Sequence, residues 1–221
     1  MELSTREVAD RLCVSQRRVE RLISAGSLTP TRRVGRAWLV DAAEVGSLVA
    51  LDRRRGRPWS QPVAWAALWG LSGLETPWID VQTARRLGKR LRGTTAQGLV
   101  WSARRRARVR RYRASASFLD RISQRVRLTG ANGLDQARDA MIPPTDRIDG
   151  YCANHEVGGL IRDFFMVEDP AGNVTLRITD WAAVAAWSGV MPLAVVGADL
   201  AGSLDAREAA AGYRLLEGLL P

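Results

Sequence analysis

The sequence predicts an α+β fold in two parts. A small N-terminal domain spans 1–52 and a mixed α/β domain with short strands and a helical C-terminus spans 60–221, joined by a basic linker at 53–59. Three observations carry this. Helix-capping signals ahead of apolar residues at helical spacing recur from Ser4 to Glu44 and again from Ser60 to Asp205. Runs of β-branched and aromatic residues bounded by turn residues lie at Thr31–Val40, Phe164–Val167 and Val174–Ile178. The stretch Arg53-Arg-Arg-Gly-Arg57-Pro58 is basic, and Pro58 holds its predecessor extended, so a helix must stop before it. A sub-boundary is expected near 130–146, where Gly130-Ala-Asn-Gly133 makes a turn.

In the first domain, Ser4 with Glu7 forms a capping box, with Leu3 and Val8 at the flanking staple positions and Val8, Ala9 and Leu12 on one face. Ser15 caps a second helix over 15–25, whose buried stripe is Val19, Leu22 and Ile23. Gly26 is the expected stop, because glycine adopts the left-handed conformation after a helix without steric cost. Arg17, Glu20, Arg21 and Ser24 fall opposite the apolar stripe, flanked by Gln16 and Arg18. Arginine grips guanine bidentately and glutamine grips adenine, so this first turn suits a DNA major groove. Glu20 would repel phosphate unless it reads a cytosine amino group or pairs with an arginine.

Thr31–Val34 and Ala37–Val40 read as a hairpin turning at Gly35-Arg36, and Asp41 with Glu44 is a second capping box opening a third helix over 42–51. Taken together, Thr5-Arg-Glu-Val-Ala-Asp-Arg-Leu12, Val14-Ser15, Arg18-Val19, Leu22-Ile23, Gly26-Ser-Leu28, Val34-Gly35-Arg36 and Trp38 resemble the winged helix-turn-helix of the MerR and excisionase group. The resemblance implies double-stranded DNA binding, with 15–25 as recognition helix and 31–40 as wing. Gln16, Arg17, Arg18 and Arg21 would then face the major groove, and Arg32, Arg33 and Arg36 would face phosphate or an adjacent minor groove. Arg54 and Arg55 in the linker would contact phosphate as well. The plainer alternative is a three-helix structural module with a solvated arginine face; cap, turn, glycines and hairpin agree jointly with DNA binding.

Composition narrows the partners. The chain has 33 Lys+Arg against 23 Asp+Glu, a net charge of +10, which favours a polyanionic partner, nucleic acid before membrane. Residues 1–57 carry 12 basic and 7 acidic side chains, 58–127 carry 15 and 3, and 128–221 carry 6 and 13. A basic front and an acidic back argue for nucleic acid at one end and a different partner at the other. No apolar run reaches the ~20 residues of a membrane span. The polar start is unlike a signal peptide, so a cytoplasmic protein with reduced, structural Cys13 and Cys152 is expected.

Along the second domain, Ser60 and Pro62 open an apolar helix through Val63, Trp65, Leu68, Trp69 and Leu71. Helices are expected over 78–91, 95–106 and 116–123, and strands over 125–130 and 147–152. Asn154 is read as a helix cap, Asp169-Pro-Ala-Gly-Asn173 as the turn of a hairpin pairing 164–167 with 174–178, and Pro192 and Asp205 as openers of the last two helices. Between Arg85 and Arg113 there are 12 basic residues and no acid. Within that strip Arg104, Arg105, Arg108, Arg110, Arg111 and Arg113 run from a helix end into a strand with both faces partly basic, which reads as a secondary nucleic-acid surface.

Arg57-Pro58 leading to Ala64-Trp65-Ala-Ala-Leu68 and Leu71-Ser72-Gly73, then Arg108-Val-Arg-Arg-Tyr-Arg113, Pro192-Leu193, Ala198-Asp199-Leu200 and Ser203-Leu-Asp-Ala-Arg207, resemble the body of AbiEi-type antitoxins. That resemblance implies a repressor that autoregulates a toxin–antitoxin operon and pairs with a nucleotidyltransferase-like toxin, although the family's usual N-terminal domain differs from this one. A homodimer on paired half-sites is expected of a helix-turn-helix reader. Two alternatives stand beside it: an excisionase-like or architectural factor without a toxin, and an RNA-binding or nuclease-like enzyme using 85–113.

Catalytic chemistry finds little foothold. His155 is the only histidine, and Cys152 stands three residues from it with no orienting group in view. There is no CxxC, no phosphate-binding GxxxxGK[ST] loop, and no strand-to-helix context for the glycine pairs. No catalytic residue, metal or cofactor is therefore expected.

Overall fold

The computed structural model describes residues 2–12, 14–24, 26, 28–35, 37–46, 57–136, 144–203 and 205–221. Over these residues the fold is α+β, with a three-stranded and a five-stranded sheet and three hydrophobic clusters.

The N-terminal unit contains β1 (Glu2–Ser4), α1 (Thr5–Leu12), α2 (Gln16–Ser24), β2 (Pro30–Val34), β3 (Ala37–Asp41) and a helix α3 that begins at residue 42 and is described through 46. Its core is Leu3, Val8, Ala9, Val19, Leu28, Val40 and Val45. The reciprocal cap of α1 forms: the Ser4 N–H donates to Glu7 Oε2 at 2.7 Å, and Ser4 Oγ accepts the Glu7 N–H at 3.3 Å. Ser15 Oγ accepts the Arg18 N–H at 3.3 Å and so caps α2. Gly26 follows at φ +68, the left-handed stop.

Two features depart from expectation. Leu3 is more than a staple: it centres a third strand that pairs antiparallel with β3 opposite Val40, giving the order β1-β3-β2. Three residues with one apolar side chain carry too little alternation to be read as a strand. The cap expected at Asp41 and Glu44 forms only on one side. Asp41 Oδ1 accepts the Ala43 N–H at 2.7 Å, but Glu44 turns inward, where its Oε1 accepts the Thr29 N–H at 2.9 Å.

The remainder holds α4 (Gln61–Leu71), α5 (Val81–Arg92), α6 (Ala96–Ala103), β4 (Arg108–Arg113), α7 (Leu119–Ser123), β5 (Arg127–Leu128), a 3₁₀ segment Gly130–Gln136, β6 (Ile148–Cys152), α8 (Asn154–Asp163), β7 (Val167–Glu168), β8 (Val174–Ile178), α9 (Ala182–Ala185), α10 (Leu193–Leu200) and α11 (Ala206–Leu219). α4 is apolar all round because it is the hub of a helical core with α5, α6, α10 and α11. Edge-to-face rings bind that core: Trp69 meets Trp65, Trp78 and Trp187 at 5.3, 6.1 and 5.8 Å between centroids. α5 starts at Val81 rather than 78, since Asp80 Oδ1 accepts the Thr83 N–H at 2.8 Å and Trp78 instead donates its indole N–H to Pro62 O. α8 is capped from Ala153; Asn154, read as the cap, gives its side-chain oxygen to Arg108 at 2.9 Å.

The five-stranded sheet has the order β5-β6-β8-β4-β7, with β6 and β8 parallel and all other pairs antiparallel. One face packs Tyr112, Ile148, Cys152, Val174, Leu176 and Ile178 on α7 and α8. The hairpin expected between 164–167 and 174–178 does not form. β4 lies between β7 and β8 and pairs with both. The Asp169–Asn173 loop instead folds over the end of β4: the Asp169 N–H donates to Arg111 O at 3.0 Å, and Asn173 exchanges both bonds with the Ala114 backbone. A turn signal marks where a chain reverses, not which strand it meets next.

Candidate nucleic-acid interface

Period-two alternation gives the sheet's second face a polar character, with Asp149 and Tyr151 on β6, Thr175 and Arg177 on β8, and Val109 and Arg111 on β4. Above it, α10 contributes Asp199, which is 1% exposed. Arg177 donates to both oxygens of Asp149 at 2.8 Å and reaches Asp199 at 2.9 Å. Arg106, also buried, pairs with Asp199 and donates to the Tyr151 hydroxyl at 3.0 Å, while Thr129 Oγ1 donates to Asp199 Oδ2 at 2.6 Å. Each buried charge here has several partners, the condition for tolerating it. Sequence reasoning does not assemble this network, because its members lie up to 93 positions apart.

The residues proposed for DNA contact are placed differently from one another. Gln16, Arg17, Arg18 and Arg21 on α2 are all exposed, while Val19 beneath them is fully buried. Glu20 is exposed on the same helix, and the Arg21 Nε–H donates back to Arg17 O at 3.4 Å. Arg18, though exposed, also lines a cavity together with Leu12, Val14 and Leu22. On the hairpin, Arg32 is held by Glu2 at 2.8 Å, and Arg33 lies over the Trp38 ring at 5.2 Å. Gly35 turns the hairpin at φ +58. Arg36, Arg54, Arg55 and Cys13 lie outside the described residues.

Two of the six arginines of the secondary basic strip pair with acids of the same chain, and two more have neutral partners. Arg110 pairs with Glu168 and Arg113 with Asp169, each at 2.6 Å, and Arg108 donates to Asn154. Arg104 stacks on Trp101, 3.1 Å from the ring centroid. Arg111 is half-buried and its Nε has no hydrogen-bond partner; burial, more than the neighbouring carboxylates offset, depresses the pKa of its guanidinium. Arg105 is exposed. More basic surface lies on α5, where Arg85, Arg86, Lys89, Arg90 and Arg92 are all exposed while Leu87 and Leu91 anchor the helix. The basic count over 85–113 contains α5, but the arginine-dense strand at its far end draws attention away from the helix.

Elsewhere, Cys152 is buried in the sheet core, which pushes its thiol up to about 12, and His155 is exposed on the first turn of α8. Among the described residues, no cluster of His, Cys, Asp and Glu has metal-ligand geometry, and no helix is long and apolar enough to cross a membrane. In comparisons with known proteins, no family model matches this chain, and no curated protein or solved structure does either.

Proposed function

We propose that the chain is a winged helix-turn-helix protein that reads double-stranded DNA through α2 and the β2–β3 hairpin. We propose further that it represses its own operon as the antitoxin partner of a nucleotidyltransferase-like toxin. The observation that carries the DNA reading is the split of α2. Gln16, Arg17 and Arg21 stand in solvent on a helix whose opposite side is locked by Val19, with a basic hairpin beside it. A helix held this way can seat its first turn against base edges while the hairpin meets the backbone. The antitoxin reading draws on the resemblance of 57–221 to AbiEi-type bodies.

Changing Arg17 and Arg21 together to alanine should weaken binding to the protein's own promoter in a gel shift by about 1–3 kcal/mol for each bidentate base pairing removed. Unaltered affinity in that double variant, with the wild type binding specifically, removes α2 as the reading helix. A protected footprint with two-fold symmetry is expected if two copies occupy paired half-sites.

A further inference from the structure

Between the N-terminal unit and the polar face of the five-stranded sheet lies a cavity of about 680 Å³. Such a volume encloses a small organic molecule. Arg111, Thr175 and Arg177 line it from the sheet, and Arg18, Thr29 and Glu44 from the N-terminal unit. Its polar groups are unevenly used. Asp149 and Asp199 are saturated by arginine, threonine and tyrosine donors, and Glu208 is taken by Arg147 and Ser203. The unspent donors belong to guanidiniums, Arg111 using only Nη1, in a long bond to Pro170 O at 3.4 Å. Arg111 Nε is buried without a partner, and among the described residues no hydrogen bond or ion pair engages the guanidinium of Arg18 or of Arg105, which also lines the cavity. Glu44 Oε2 is buried without a partner as well.

Leaving a buried charged donor unsatisfied is costly, and where the chain supplies no acceptor, water or a bound anion can. The guanidinium fork matches the paired oxygens of a phosphoryl or carboxylate group. We propose that this cavity is a binding site for a small anionic molecule. Arg111 grips its phosphoryl or carboxylate group from the sheet, Arg105 adds a second guanidinium, and Glu44 accepts an N–H or O–H from the same ligand. The ligand thereby touches both units of the chain. The site does not rest on duplex binding, since its affinity is read without DNA.

The test is calorimetric titration of the full chain with inorganic pyrophosphate and, separately, with citrate, against potassium chloride at matched ionic strength. One of the two anions should bind with one-to-one stoichiometry, and which one does separates a phosphoryl from a carboxylate ligand. Arg111→Gln should weaken that binding about tenfold or more, as removal of a charge-assisted hydrogen bond does. Arg105→Gln, an exposed position outside the buried network, should weaken it severalfold and decides the matter if the first variant does not fold. Binding of neither anion beyond the salt control, or wild-type affinity in Arg105→Gln and in a folded Arg111→Gln, overturns the proposal.

Discussion

Asp199 is the point on which Arg106, Arg177, Thr129 and Tyr151 converge, in a site closed to water. Removing one member of such a group leaves an opposite charge buried alone, which costs about 3–5 kcal/mol. Asp199→Ala is therefore expected to lower the urea midpoint by a corresponding amount, and a change within about 0.5 kcal/mol, the range of surface substitutions, would show that the network is not structural. Glu44 makes the opposite prediction. Burial lifts its carboxyl from 4.5 to about 7, against the Thr29 N–H and Arg111, which favour the charged form. The folded chain thus holds this proton more tightly than the unfolded chain, so the Glu44 contribution to stability falls as pH rises from about 4.5 to about 7 and stays low above it. Glu44→Gln keeps an acceptor for Thr29 without the charge. The variant should match wild type near pH 4.5 and become the more stable one by about 3 kcal/mol at pH 8, as measured by paired denaturant curves. A stability difference that does not vary with pH would mean that the carboxyl is solvated.

At the scale of elements, α5 presents Arg85, Arg86, Lys89 and Arg90 to solvent on a helix anchored by only two buried leucines. If the chain lies along duplex DNA, this helix is a ready phosphate contact. Replacing those four residues with glutamine should weaken binding to all sequences alike and flatten the salt dependence by about 0.9 for each phosphate no longer neutralised. An unchanged slope would place α5 away from the duplex. The elements themselves were largely legible. Capping residues fixed the starts of α1, α2 and α11 because a cap is a local bargain between a side chain and the next turn. The pairing of β4 between β7 and β8 was not legible, because register depends on which face each strand buries once the sheet is assembled.

Across the whole molecule, the basic front and acidic back of the sequence prove to be partners of each other. Arg110, Arg113, Arg125 and Arg127 from the basic stretch pair with Glu168, Asp169, Asp163 and Glu156 from the acidic one. Charge counted along a chain suggests what the protein offers to others; the fold decides how much it keeps for itself. Among the described residues, the exposed faces of α2 and α5 carry Arg17, Arg18, Arg21, Arg85, Arg86, Lys89, Arg90 and Arg92 without an ion pair. The α2 face was legible because period and capping place it, whereas the carboxylates that neutralise β4 arrive from more than 50 residues away.

Gly26 has a role beyond ending α2. A methyl group there would run into the backbone carbonyl of Val109 on β4, so the two units touch through bare main chain at that point. Any L-residue at position 26 faces two penalties, a left-handed backbone worth about 1–2 kcal/mol and a steric wedge against the sheet. Gly26→Ala should accordingly loosen the seating of the N-terminal unit, seen as faster amide exchange along β4 at a modest loss of stability; unchanged exchange there would mean that the junction carries no mechanical load. The absence of a single carbon atom would then set the gap between the N-terminal unit and the sheet it leans on.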